Sequence, residues 1–525
     1  MKGLLPIIVF LFAGQMLSAQ SGYFHLHRDF QFELEKEMAE KDTLFHSSMR
    51  PLKFSDIRDT ETFKKYNFFH EATAQSDSDF EFHYAPLIQS SLGYQWGGSQ
   101  DFLSEYGAGI ALNSGYKRFS LQGDFLFLRS QFPDYFLDYI NRREVVPSFG
   151  YALESSGHYN TFITNFALNY EASKYFTFSV GQGRNFIGDG YRSLLLSDFG
   201  NSYPYAKIET QIWKIKYTNL FTNYKSVFGS DGRPGNFTNK YASTHYLEWQ
   251  ATKKLSLGFF ESVLWQAGDT LIDRGFDVNY LNPVIFYRPV EFSTGSPDRV
   301  LVGLNVKYEP HKKVQLYGQM VLDEFLLREV RADVAQAVRP DSARQHGWWG
   351  NKYGFQAGFK YFDAFGLGGL SLQGEVNLVR PYTYSHGTVL QNYAHFGQPL
   401  AHPLESNFFE YLAFIRYDHD RFRVELQTMV ALKGKDSHEG ENFGGDLYKS
   451  YRTRPYSHGH YIGQGSPHWI VYQGIDINAP LNKKRNLEAF LHYGIRFVST
   501  ALSDEAMSFI RIGLRTSIYN RYYDF

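Results

Sequence analysis

The sequence predicts an all-β fold: a transmembrane antiparallel β-barrel of about 18 strands with a short N-terminal periplasmic helical region. Three observations predict it. Segments of about ten residues alternate apolar and polar side chains along most of the chain. The connections between them alternate short and long. The composition is rich in rings, with Phe 48, Tyr 39 and Trp 7 among 525 residues, yet contains no long apolar helix. Lipid-facing and lumen-facing residues averaging out along each strand give this combination.

Residues 1–19 read as a secretory signal peptide. Lys2 is a minimal charged start, residues 4–13 are a short apolar run, and Leu17, Ser18 and Ala19 offer a cleavage site before Gln20. The run is shorter than the ~20 apolar residues of a spanning helix. Residues 20–80 form an N-terminal periplasmic region. Leu34, Met38 and Leu44 fall near helical spacing among Glu33, Glu35, Lys36, Glu37, Glu40 and Lys41, and residues 71–79 are a polar linker. Such a helix either docks beneath the pore as a plug or is a solvated tether.

Residues 81–525 carry eighteen alternating segments, near 82–92, 103–112, 118–128, 160–170, 174–182, 205–213, 214–221, 244–252, 255–265, 299–309, 313–322, 352–361, 369–378, 409–418, 422–432, 468–477, 486–497 and 507–516. In one, Phe162, Thr164, Phe166, Leu168 and Tyr170 oppose Asn165, Ala167 and Asn169. In another, Phe422, Val424, Leu426 and Val430 oppose Arg423, Glu425 and Gln427. Charges on an inner face are costly in a sandwich core but are expected to face a wet lumen in a barrel. Tight links at 113–117, 171–173, 252–254, 310–312 and 419–421 alternate with mostly long ones: 129–159, 183–204, 222–243, 266–298, 323–351, 379–408 and 433–467. This is the asymmetry of periplasmic turns and extracellular loops. An even strand count puts both ends of the barrel region, including the aromatic terminus at Phe525, on the periplasmic side.

Charge and motifs narrow the function. With 53 basic and 54 acidic residues the formal net charge is -1, so nucleic acid is not an expected partner. Cys 0 excludes thiolate metal sites, a cysteine nucleophile and disulfides. No nucleophile elbow, zinc-protease helix or phosphate loop is present, so neither catalytic residues nor a cofactor are expected. The glycine-rich stretch 181–190 lacks a βαβ context and reads as a tight loop whose Arg184 and Asp189, with Arg192, can form a charged cluster in the lumen.

The long loops hold the candidate binding residues. Arg380, Tyr382, Tyr384, His386, His395, His402, Asn407 and Glu410 crowd the stretch 380–410. Asn282, Tyr287, Arg288 and Glu291 form a second group, and Trp348 and Trp349, following Asp323 and Glu324, a third. Three histidines here and His458, His460 and His468 elsewhere raise the question of metal, but their spacings match no compact ligand set, and none is assigned. Ring faces that pack on pyranoses, beside Arg, Asn, Glu and His that bond hydroxyls and carboxylates, suit a glycan. A hydrogen-bonded cap over the barrel is the alternative use of the same residues.

Several stretches carry a resemblance: "GDGYRSLLLSD" at 188–198, "LNPVIFYRPVE" at 281–291, "LYGQMVLDEF" at 316–325, "WGNKYGFQAG" at 349–358, "RPYTYSH" with "YAHFGQPLAHPLESNF" within 380–408, and "FHSSMRPL" at 45–52. In these the chain resembles the capsule-assembly Wzi-type outer-membrane proteins, particularly a Bacteroidetes branch of RemB-like gliding-motility proteins. The resemblance implies an eighteen-stranded barrel with periplasmic helices that holds capsular polysaccharide or takes part in gliding. The expected surroundings are outer-membrane lipid, a surface polysaccharide and the gliding or capsule-export machinery, with the protein a monomer. A diffusion channel for small solutes or oligosaccharides is the competing reading. A barrel enzyme is not expected, since Asp323 and Glu324 on a strand point to opposite faces.

Overall fold

The computed structural model describes residues 22–41, 43–69, 75–77, 80–99, 101–228, 230, 232–268, 275–283, 298–483 and 486–525. The signal segment over 1–19 lies outside them, as do Tyr287, Arg288 and Glu291. Eighteen antiparallel strands close into one barrel. In chain order they are β1 (Phe80–Trp96), β2 (Phe102–Tyr116), β3 (Phe119–Ser130), β4 (His158–Glu171), β5 (Phe176–Gly183), β6 (Tyr203–Ile212), β7 (Ile215–Ser226), β8 (Thr238–Gln250) and β9 (Leu255–Gln266). They continue with β10 (Arg299–His311), β11 (Val314–Glu324), β12 (Lys352–Tyr361), β13 (Leu370–Val379), β14 (Phe408–His419), β15 (Phe422–Lys435), β16 (Ser466–Asn482), β17 (Leu487–Ser499) and β18 (Asp504–Thr516). Each predicted segment is a strand. The seam pairs β18 with β1, Ser508 opposite Trp96 through Arg515 opposite Gln89, so no main-chain edge is left open in the ring.

Alternation sets the two faces. On β4, Phe162, Phe166 and Leu168 are exposed on the outside while Ile163, Ala167 and Asn169 are buried within. On β10, Leu304, Val306 and Tyr308 face out against Asn305 and Lys307. The turns at one end, such as 117–118, 213–214 and 420–421, are two residues long. At the other end lie the loops 131–157, 184–202, 227–237, 267–298, 325–351, 380–407 and 436–465, with short links only at 97–101 and 500–503. The loop-bearing end is the outer one.

The lumen, expected to be wet, is occupied by the chain's own leading segment. The segment 22–69 enters it from the periplasmic mouth and brings its own small core, in which Phe24, Phe30, Leu34, Leu52, Phe54, Ile57, Phe63 and Tyr66 are buried together. Helix α1 (Arg28–Lys41) is tied to the wall by ion pairs: Asp29 to Arg416 at 2.9 Å and Arg423 at 2.7 Å, Glu35 to Lys360, and Lys36 to Asp363 at 2.7 Å. Of the plug and tether readings, this is the plug. Leu44, read with the helix, lies beyond its end and is exposed. The inward charges of β14 and β15 are therefore paired with charges of this segment, as Arg416 and Arg423 are with Asp29.

Two further segments complete the filling. The 184–202 loop folds inward, where Met49–Arg50 pairs with Phe186–Ile187 and the Gly188 amide donates to the Ser48 carbonyl at 2.8 Å. Gly188 holds φ at 143°, and a Cβ there would stand 2.3 Å from Gln319 Nε2, so only glycine fits. Residues 517–525, expected on the periplasmic side, instead turn back from β18 into the lumen. Phe525 is buried against Tyr135, Phe136 and Tyr139 of α2 (Asp134–Arg143), a helix of the outer 131–157 loop. A terminal aromatic run has more apolar area to bury in this crevice than beside the last turn.

Candidate functional site

The outer loops place the sequence-predicted residues in three kinds of position. The first is the lumen wall. Glu410 of β14 is enclosed, accepts from Asn377 at 2.9 Å, and is bonded to both Arg192 at 3.1 Å and His402 Nε2 at 2.8 Å. Burial lowers the His402 pKa, against the pull of Glu410.

The second is the weave of loops above the lumen. Arg380 Nε donates to the Asn351 carbonyl at 2.8 Å and Nη2 to that of Trp348 at 3.3 Å, with little of the side chain exposed. Tyr382 and Tyr384 are fully buried and donate their hydroxyls to the Asn442 carbonyl at 2.8 Å and the Leu194 carbonyl at 2.7 Å. Asn407 Nδ2 bonds the Gly434 carbonyl at 3.2 Å and that of Gln464 at 3.0 Å, and its Oδ1 accepts from the Gly463 amide at 2.8 Å. His395 accepts the Lys225 amide at 3.0 Å on Nδ1, which fixes the proton on Nε2 toward the Ser202 carbonyl. Burial pushes its pKa down to about 3. These residues lock one loop to another.

The third position is the outer surface. His386 and the two tryptophans are partly exposed there, and Asn282 is exposed on the 267–298 loop. Trp348 and Trp349 sit beside each other at 5.8 Å between ring centres, and Trp349 lies 4.8 Å from Tyr451 of the 436–465 loop. The Arg454 guanidinium stands 4.1 Å over the Trp349 ring and Lys352 Nζ 4.2 Å over that of Tyr451. His386 packs edge-on to Tyr451, and burial followed by the nearby Arg299 and Lys352 brings its pKa down to about 4. Backbone bonds splice the two loops: the Gly459 amide to the His346 carbonyl at 2.8 Å and the Trp349 amide to that of Ser457 at 3.1 Å. Tyr456 and Tyr461 extend the surface, both exposed.

In sequence His458 and His460 of the 436–465 loop and His468 of β16 stand out only as metal candidates, and Tyr451, Arg454, Tyr456 and Tyr461 fall in none of the expected binding groups. The stretch "YRTRPYSHGHY" has the same mixture of rings and cations as the 380–410 loop, and that mixture is the signal that finds it. Among the described residues no three His, Asp or Glu side chains gather as a metal set. His386, His395 and His402 each face different partners.

Eighteen closed strands, an apolar outer belt and long loops at one end define an outer-membrane β-barrel. Over 94% of its length the chain matches the fold of Wzi from Escherichia coli, an outer-membrane protein involved in group 1 capsule assembly and a carbohydrate-binding β-barrel, with a TM-score of 0.55, 12% identity and 98% of that chain covered. The Pseudomonas aeruginosa barrels OccK8 and OprD align less closely, at TM-scores of 0.44 and 0.43 and identities of 9% and 8%, covering 82% and 86% of this chain and 97% of each of theirs. No family model and no curated protein sequence matches the chain.

Proposed function

We propose that the protein is exported by its N-terminal signal to the outer membrane, where it binds or organises a surface polysaccharide, capsular or exopolysaccharide, in the service of capsule assembly or gliding motility. The observation that carries this reading is the aromatic platform of the half-exposed Trp348, Trp349 and Tyr451 with the exposed Tyr456 and Tyr461, with Arg454 and His386 at its edges, standing over a lumen filled by the chain itself. Aromatic faces receive the C–H faces of sugar rings, and the flanking donors reach hydroxyls and carboxylates. Binding of this kind needs no turnover. The fold shared with a carbohydrate-binding barrel and the motif resemblance to the capsule-assembly and gliding branch support it. The partners in this reading are outer-membrane lipid around the apolar belt, the polysaccharide, and the gliding or capsule-export machinery, with the protein a monomer.

The test is retention of native polysaccharide by cells carrying Trp349→Ala with Tyr451→Ala. The double variant should shed the polysaccharide while keeping its heat-modifiable gel mobility. Retention equal to the parent, together with no binding of the purified parent on a glycan array, overturns the reading. The channel reading is disfavoured by segments 22–69, 184–202 and 517–525 in the lumen.

A further inference from the structure

A cleft of about 870 Å³ opens at the outer end beside the platform, between α2 and the first half of the 436–465 loop. Its volume lies within the ~300–1,000 Å³ of small-molecule sites. Tyr135, Tyr139 and Phe525 give it aromatic walls, Leu404, Ile470 and Val498 aliphatic ones, and the short 500–503 link leaves its side low.

The charges in it are sorted by depth. Arg143 is spent on Glu405 at 2.7 Å and Asp446 at 3.0 Å, and Lys449 on Asp436 at 2.8 Å. Lys433 gives its three protons to the carbonyls of Leu404, Ser406 and Gly445. Lys435 and Arg496 are both half-buried: among the described residues Lys435 Nζ has neither a carboxylate within ion-pair distance nor a hydrogen-bond partner, while Arg496 donates from Nη2 to the Phe525 oxygen at 3.2 Å and lies 4.9 Å over the Tyr135 ring. Arg496 Nε and Tyr139 Oη are buried donors without a partner. The lining carboxylates that no cation neutralises, Asp138, Glu439 and Glu505, are all exposed at the rim, where water and salt screen them. Inside, donors outnumber acceptors. A buried donor left unmade is costly, so a cleft built this way is completed by an anion.

We propose that this cleft binds the carboxylate of an acidic sugar, Lys435 taking a uronate oxygen with the Arg496 guanidinium, held in place by Tyr135 and the Phe525 oxygen, beside it. The inference rests on the polysaccharide reading and specifies its ligand: a uronate-bearing chain that runs from the platform into the cleft along the 436–465 loop, which lines both.

The test uses the full-length protein in detergent and titration calorimetry with tri-galacturonate, its methyl ester, a neutral galacto-oligosaccharide and lipopolysaccharide. Tri-galacturonate should bind more tightly than its methyl ester, with an affinity that falls as sodium chloride is raised. Lys435→Gln should weaken it at least tenfold and Lys435→Arg should keep it, both with unchanged heat-modifiable mobility; since Lys435 bonds nothing in the protein, its replacement leaves the fold standing. If saccharides bind but tri-galacturonate affinity in Lys435→Gln stays within twofold of the parent, the cleft assignment fails and the polysaccharide reading survives. If lipopolysaccharide alone binds in a Lys435-dependent manner, the anion is a phosphate and the uronate assignment is overturned. If no saccharide binds the parent, both readings fall.

Discussion

Arg192 and Asp524 form one enclosed charge pair, guanidinium Nη2 to carboxylate Oδ2 at 3.0 Å, although one belongs to the 184–202 loop and the other to the segment beyond β18. The same Nη2 lies 3.1 Å from Glu410, and Tyr191 and Gln427 donate to the Asp524 carboxylate. A single cation therefore holds a loop, a strand and the tail together. Arg192→Met leaves two carboxylates enclosed without it, at a cost of ~3–5 kcal/mol. The temperature at which the folded gel mobility is lost should drop, and Arg192→Met with Glu410→Gln and Asp524→Asn should recover most of it. An unchanged transition in the single variant would show that the pair is not structural.

The chain contains no cysteine, so single cysteines report topology cleanly. Introduced at Gly235 and Glu439, on the long-loop end, they should react with a membrane-impermeant maleimide on intact cells; at Lys312, in a two-residue turn, one should not. The opposite pattern would invert the barrel.

The lumen should conduct little. Planar-bilayer recordings of the intact protein are expected to show no large steady conductance, and Asp29→Ala with Glu33→Ala and Glu35→Ala, which removes the ties of α1 to Arg416, Arg423 and Lys360, should raise it. A large stable conductance in the parent would instead favour a diffusion channel.

Acid should loosen the loop cap at His395. Its pKa in the folded protein is about 3, against ~6.5 for a free imidazole, so the opened state takes up a proton first as pH falls. The stability it confers is complete above ~6.5 and declines by ~1.4 kcal/mol per pH unit from there toward 3. The protection factor of the Lys225 amide, which donates to His395 Nδ1, taken against its intrinsic exchange rate at each pH, should fall between pH 7 and 4.5, and His395→Gln should remove that dependence. An equal protection factor at both pH values in the parent would contradict it.

The barrel was legible because a two-residue period survives in each strand whatever the lumen contains: Phe162 and Leu168 look outward-facing in any barrel. The filling of the lumen was less legible, since its ties join distant positions, such as Ser48 to Asp189 and Asp29 to Arg416, and nothing local marks them. Arg184, Asp189 and Arg192 were singled out as a lumen cluster; Asp189 and Arg192 are enclosed there, and Arg184 is half-buried. In the loops, Arg380 and Tyr382 have the same chemistry whether they lock a neighbouring carbonyl or wait for a ligand. Only the geometry separates them from Trp349 and His386, which reach the surface.

The inward tail bears on the order of assembly. β18 can pair with β1 only after the other strands have curled round, and residues 517–525 follow β18 directly. Their final aromatic ring rests on α2, near the cell-surface end of the interior. The tail therefore has to be seated in the lumen together with closure of that seam, while segment 22–69 fills the same lumen from the periplasmic mouth. Without those two segments the closed ring would be hollow, its inner wall lined with the bare partners of Asp29, Glu35 and Asp524.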